Sequence, residues 1–245
     1  MGVKVNWYSQ KGSRTEDNRD YCGIGLRSGA MLCIVLDGST SGPNGGELAQ
    51  QIAHELIDWF VNANADTSAQ VIVKAMQNIH DTLSRQFPFD SASYIIVLIQ
   101  DENPLRILHA GDCLFGKNEK KHNQIRWLTK PHTLANATNN MSVISLADSP
   151  ARHRLTRSFR PKEFVTPESS EIKIQNGDSF IVATDGFWAE LNSEEQSEFI
   201  EVGKVSMMGE GDDQSILRIL ILSDQVDSDI PTDKNALDNC YVKIA

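Results

Sequence analysis

Three strand-like runs in this chain each stop at an aspartate, and no other feature limits its possible folds so tightly. Met31 to Leu36 runs into Asp37-Gly38, Leu105 to Ala110 into Gly111-Asp112, and Phe180 to Ala183 into Thr184-Asp185-Gly186. Short apolar runs bounded by turn residues have the pattern of buried strands. One Asp-Gly is an ordinary turn dipeptide and by itself means a hairpin. Three such strand ends, with an Asp212-Asp213 pair ahead of the apolar run Ile216 to Leu222, mean more. Carboxylates gathered at one end of a sheet repel one another unless a cation lies between them, so the pattern predicts a site for a hard metal ion.

The elements around these runs alternate in type. Val3, Val5 and Trp7 alternate with polar residues as in a strand with one buried face, and Tyr21 to Leu26 and Met31 to Leu36 form a hairpin about Arg27-Ser28-Gly29. Between them, Ser9 to Asp20 is a charged loop. Leu48, Ala49, Ile52, Ala53, Leu56, Trp59 and Phe60 share one face of a helix. A second helix, striped by Ile72, Ala75, Met76, Ile79 and Leu83, opens on a capping box at Thr67-Ser68-Ala69-Gln70. Tyr94 to Ile99 is apolar throughout, as in a strand covered on both faces. Leu105 to Ala110 pairs with it across a turn at Asp101 to Pro104, and Phe115 to Trp127 is a hairpin with a solvated tip at Lys117 to Lys121. Strand character returns at Ile172 to Ile174 and Phe180 to Ala183, Ser193-Glu194-Glu195-Gln196 caps another helix, and Tyr241 to Ile244 is a short edge strand. This order predicts an α+β fold, a four-layer αββα sandwich of two antiparallel sheets flanked by helices.

With 245 residues, 40% of them apolar, the chain can bury a large core, and 1–245 reads as a single domain. Within it, 131–166 lacks periodicity and reads as a flap, and 223–245 reads as a C-terminal extension with a polar spacer at Ser223 to Lys234. A net charge of −10 disfavours nucleic acid and anionic membrane as partners. Cys22, Cys33, Cys113 and Cys240 are too widely spaced for a zinc set and read as thiols in a reducing compartment. The start lacks a signal-peptide pattern and no apolar run approaches about 18 residues. The expectation is a cytoplasmic monomer.

The motifs, taken in order, resemble those of the type-2C family of metal-dependent serine/threonine protein phosphatases. They are Gly12-Ser13-Arg14 with Asn18-Arg19-Asp20, Val35-Leu36-Asp37-Gly38 with Gly45-Gly46-Glu47-Leu48-Ala49, Ser91-Ala92-Ser93, and Ala110-Gly111-Asp112. After these come Leu128-Thr129 with His132, Leu155-Thr156-Arg157-Ser158-Phe159, Ala183 to Trp188, and Asp212-Asp213-Gln214-Ser215. The resemblance implies a centre of two Mg²⁺ or Mn²⁺ ions. Asp37 would bridge them, Gly38 would offer its carbonyl, and Asp185 and Asp212 would complete the first ion's shell. Asp20 would order water, Asp112 would contribute to a third, looser ion, and Arg14 would grip the phosphate. The implied partners are a phosphorylated protein and the serine/threonine kinase that opposes the enzyme.

Departures from the pattern fall at Arg19, where the family often has glutamate or glutamine, and at Ser39 to Asn44, which offers no histidine as general acid. Lys130-Pro131 interrupts the motif ahead of His132, and Ala189 stands where an aspartate is common, which weakens the case for a third ion. Two alternatives therefore stand beside a protein phosphatase: a module of the same fold that binds a phosphoprotein without hydrolysing it, and a hydrolase of small phosphate esters. His54, His80 and His109 read as structural.

Overall fold

The computed structural model describes residues 2–62, 67–101, 104–119, 124–138, 141–206, 210–223, 228–230 and 239–245. Its strands are β1 (Val3–Gln10), β2 (Asp20–Arg27), β3 (Ala30–Gly38), β4 (Ala92–Gln100), β5 (Leu105–Ala110), β6 (Leu114–Glu119), β7 (Gln124–Trp127), β8 (Glu168–Ile172), β9 (Ser179–Ala183), β10 (Gln214–Ile221) and β11 (Cys240–Ile244). The helices are α1 (Gly45–Asn62), α2 (Ala69–Gln86), α3 (Leu134–Thr138), α4 (Val143–Ala147), α5 (Asp185–Glu190) and α6 (Ser193–Val202), with a 3₁₀ turn at Pro150–His153. One sheet has the order β1-β10-β9-β6-β7 and the other β11-β2-β3-β4-β5-β8. Every named pairing is antiparallel except that of β11 with β2.

Side chains on a strand alternate between faces, and here the alternation assigns residues to different cores. In β4, Ala92, Tyr94, Ile96 and Leu98 pack with α1 and α2, whereas Ile95, Val97 and Ile99 face the other sheet. In β9, Phe180 and Val182 enter the space between sheets, whereas Ile181 and Ala183 pack with α4, α5 and α6. The three cores are the three interfaces of an αββα sandwich. A strand in the middle of such a stack has no polar face, which is why Tyr94 to Ile99 is uniformly apolar.

Local chemistry differs from the sequence reading at several places. The Thr67 hydroxyl does not cap α2: it accepts from Gln100 Nε2 at 2.7 Å, its carbonyl accepts from Arg106 Nη1 at 2.9 Å, and Ser68 takes the N-cap without a side-chain bond. At α6 the capping box lies one residue earlier than expected, with Asn192 Oδ1 accepting from the Glu194 and Glu195 N–H groups and Glu195 reaching back to the Asn192 N–H. Trp59 lies at the margin of the α1 face rather than inside it. The strand expected at Ile172 to Ile174 is β8, Glu168–Ile172, in a different sheet from β9.

The stretch 131–166 is not free of structure. It holds α3, α4 and the 3₁₀ turn, elements of five residues or fewer that are too short to give a visible period, and it buries Leu146 and Phe159 in separate cores. In the polar spacer, Asp229 bridges Lys4 and Ile230 is buried between the sheets. Parts of that spacer (224–227 and 231–234), of the Asp101 to Pro104 turn (102–103) and of the Lys117 to Lys121 tip (120–121) lie outside the described residues. Among the described residues no helix is long and apolar enough to cross a membrane.

The caps and core make a paired prediction for urea unfolding. Asn192→Ala costs about 1 kcal/mol and Ser193→Ala less than about 0.5 kcal/mol, the reverse of what a cap at Ser193 would give. Ile96→Ala, in the strand covered on both faces, costs about 2–5 kcal/mol.

Candidate active site

Strand register builds one half of the site. Asp20, the first residue of β2, lies opposite Asp37 of β3, which in turn lies opposite Ser93 of β4. Ser93 Oγ donates to Asp112 Oδ1 at 2.6 Å, seating the residue that follows the β5 end. The turn there needs glycine: Gly111 has φ +120°, and a Cβ on it would stand 2.3 Å from Ser93 Oγ.

The second sheet supplies the other half. Asp185 opens α5 directly after β9, so it sits at a helix start and not in the tight turn that its Asp-Gly suggested. Its neighbour Thr184 donates to Asp20 Oδ2 at 2.8 Å and accepts the Ser215 N–H at 3.1 Å, tying the two sheets together at their carboxylate-bearing end. Asp212 precedes β10. The glycines after Asp37 and Asp185 permit close backbone approach: a Cβ on Gly38 would lie 2.2 Å from the Gly45 carbonyl oxygen, and one on Gly186 would lie 2.0 Å from that of Asp213.

The crowding is electrostatic as well as steric. Burial pushes the Asp37 carboxyl well above the usual range, and Asp185, Asp20, Asp112 and Asp212 push it further. Asp185 rises to about 7 through burial, then through Asp112 and Asp212. Burial followed by Asp213 raises Asp20, and burial raises Asp112. Two groups flank the cluster without belonging to it. Burial, and then these carboxylates, hold the Cys113 thiol neutral. Asp213 accepts the N–H groups of Gly12 and Arg19, each at 2.7 Å, and thereby anchors the opening loop. The remaining donors, the five carboxylates of Asp20, Asp37, Asp112, Asp185 and Asp212, are oxygen only and suit Mg²⁺ or Mn²⁺.

All seven site residues expected from sequence, Arg14, Asp20, Asp37, Gly38, Asp112, Asp185 and Asp212, lie at this end of the sandwich. Arg19 is structural: its guanidinium donates to the carbonyls of Ser39 and Gly42, each at 2.7 Å, and fixes the loop after Gly38. Two residues escaped sequence reasoning. Arg152 Nη1 donates to Asp185 Oδ2 at 2.6 Å, and Glu190 Oε1 accepts from Arg14 Nη2 at 2.7 Å. Glu190 lies two residues beyond the Ala183 to Trp188 motif and could have been suspected from its place there, whereas Arg152 lies where no pattern marks it.

His109, His132 and Glu168 also stand within 4.8 Å of one another, close enough to hold an ion. Hydrogen bonds account for His132 and Glu168 without one, whereas His109 Nδ1 is buried without a hydrogen-bond partner. His132 Nδ1 accepts the Gly111 N–H at 3.3 Å, which leaves its proton on Nε2, 3.2 Å from Glu168 Oε2. The His109 ring stacks on His132 with centroids 4.5 Å apart. The group props the Gly111-Asp112 turn.

The sequence profile of a family described as protein phosphatase 2C matches residues 10–220. A search of curated proteins finds no match. Among solved structures, the chain is similar to the PPM Ser-Thr phosphatase MsPP from Mycobacterium smegmatis in complex with cacodylate, at 18% identity and a TM-score of 0.75, over 90% of this chain and 100% of that one. It is similar to the Mycobacterium tuberculosis serine/threonine phosphatase PstP/Ppp at 16% identity and a TM-score of 0.73, over 91% and 100% of the two chains. The catalytic domain of PstP in complex with two manganese ions matches at 16% identity and a TM-score of 0.66, over 90% and 99%. At these identities the likeness is one of fold.

Burial, then the neighbouring His132, lowers His109 from its ordinary 6.5 to about 4. A histidine depressed in the folded state adds stability above its unfolded pKa and loses it as pH falls through the folded one. Urea midpoints measured between pH 7.5 and pH 4 will therefore drop more steeply for the wild type than for His109→Gln.

Proposed function

The chain belongs to the protein phosphatase 2C family, and on that premise we propose that it hydrolyses phosphoserine and phosphothreonine in proteins with two divalent ions. The observation that carries this reading is the convergence of aspartates from both sheets at one end of the sandwich, where burial and the neighbouring carboxylates raise the proton affinity of Asp37 and Asp185. Asp37 and the Gly38 carbonyl, with Asp185 and Asp212, would hold the pair, and Asp112 would serve a third ion. Magnesium and manganese both suit the donors, and the manganese in a solved relative of the same fold supports the choice. Such a pair supplies Lewis acidity and a water that loses its proton near neutral pH.

The chain's own groups do the rest. Asp20, held by Thr184 at 2.8 Å, would orient water beside Asp37. Arg14, one third exposed at the rim, can turn free N–H groups toward a phosphoryl oxygen and offset charge that grows there in the transition state. Asp20, Asp112 and Asp185 are buried, and the lower dielectric there strengthens their interactions. The substrate would be a phosphoprotein made by a serine/threonine kinase, and the compartment the cytoplasm. A second reading, a module that binds phosphoproteins without turnover, draws on Ala189 and on a Ser39 to Asn44 loop that has no histidine to protonate a leaving group.

Turnover of a phosphothreonine peptide and of p-nitrophenyl phosphate with and without Mn²⁺ separates the readings, since the module gives no rate above that of Asp37→Asn. For the enzyme, Asp37→Asn and Asp185→Asn each lower the rate by about a hundredfold or more while thermal unfolding stays cooperative. Mn²⁺ raises the melting temperature of the wild type and not that of Asp37→Asn. In chelator the order reverses, and Asp37→Asn melts higher than the wild type because a repelling charge is gone.

A further inference from the structure

Arg152 is only 6% exposed, although it sits in the irregular stretch between β7 and β8. A buried guanidinium needs partners for its charge, and those of Arg152 are specific. Nη1 donates to Asp185 Oδ2 at 2.6 Å and Nη2 to Glu190 Oε1 at 3.4 Å. Arg14, from the opening loop, repeats the arrangement on the other side: Nη1 donates to Asp212 Oδ2 at 2.5 Å and Nη2 to the same Glu190 Oε1 at 2.7 Å. Glu190 is fixed in turn, because its Oε2 accepts the Asp212 N–H at 2.9 Å.

Two guanidinium forks thus stand side by side, each with one nitrogen on a cluster aspartate and the other on one shared oxygen. Without Glu190 they would repel each other. With it, both forks are tied to one acceptor, Arg14 Nη2 at 2.7 Å and Arg152 Nη2 at 3.4 Å from the same oxygen. A fork of five N–H donors that spends two on these carboxylates keeps three for a ligand. A phosphate monoester, a dianion with three terminal oxygens, matches a pair of such forks better than a single one.

We propose that Arg152 binds the substrate phosphoryl group together with Arg14, and that Glu190 is the positioning residue that sets their spacing. This rests on the reading above of where the phosphoryl group lies. It gives the stretch 131–166 a role at the site through one side chain, with no closure motion required. It also makes selectivity for a phosphomonoester over a phosphodiester a property of the arginine pair, since a diester has one terminal oxygen fewer and one charge less.

Inorganic phosphate is the probe, titrated by calorimetry into the Mn²⁺-loaded wild type, Arg152→Ala, Arg152→Lys and Glu190→Gln, alongside KM and kcat for a phosphothreonine peptide. Arg152→Ala should weaken phosphate binding and raise KM by about tenfold or more, with a smaller fall in kcat. Arg152→Lys should recover part of that loss, and Glu190→Gln should raise KM severalfold while leaving Mn²⁺ affinity unchanged. Phosphate affinity in Arg152→Ala within about twofold of the wild type overturns the proposal. So does a change confined to Mn²⁺ affinity, which would assign Arg152 to Asp185 alone. Should Arg152→Ala fail to melt cooperatively, the lysine and Glu190→Gln variants carry the test. A wild type that binds phosphate but turns nothing over removes the hydrolase reading, and the arginine pair is then judged on phosphate affinity alone.

Discussion

Mutual repulsion among aspartates buried at one end of a β-sandwich is the constraint on which the rest of this molecule depends. Removing a carboxylate from water is costly and placing several together is costlier. The folded chain meets that cost with protons, with the guanidinium groups of Arg14 and Arg152, and with short donors such as Ser93 Oγ and Thr184 Oγ1. None of these neutralises the cluster as a divalent cation does. A protein that keeps such a cluster gives up stability at that end of the fold, which is the usual signature of a site shaped by chemistry and not by packing.

The sandwich turns this cluster into a defined geometry. Antiparallel register sets Asp20 against Asp37, so their separation is that of neighbouring strands and does not depend on a loop. The facing sheet adds Asp185 through a helix start and Asp212 through the residues leading into β10. Close contacts at Gly38 and Gly186 let the loops that carry these groups lie against each other. Carboxylates on strands and strand ends are held more firmly than carboxylates on loops. The loops supply the adjustable part, the arginines.

Much of this could be read in the sequence because the two signals used are local. Alternation and apolar runs identify strands and their coverage, and aspartates at strand ends identify the carboxylates. The misses fall where a side chain has a distant partner that no local pattern encodes. Thr67 looks like a cap until Gln100 claims its hydroxyl. Arg19 looks like a defect in a motif until it is seen to hold the carbonyls of Ser39 and Gly42. Arg152 sits among elements of five residues or fewer, too brief for periodicity to register, and Glu190 gains its meaning only from the two arginines it joins. The glycines after Asp37 and Asp185 were legible as special, but for turns and not for the backbone contacts that require them.

The hydrogen bond from Thr184 to Asp20 joins residues 164 positions apart, and that from Gly12 to Asp213 spans 201. Contacts of such span form late in folding, since the entropy of closing the intervening loop must be met before they contribute. A nascent or partly unfolded chain could therefore possess most of the six-stranded sheet, with α1 and α2 packed on it, and hold only the Asp20, Asp37 and Asp112 half of the carboxylate centre. Competence for ions and phosphate would then appear all at once, in the final step in which β10 slots between β1 and β9.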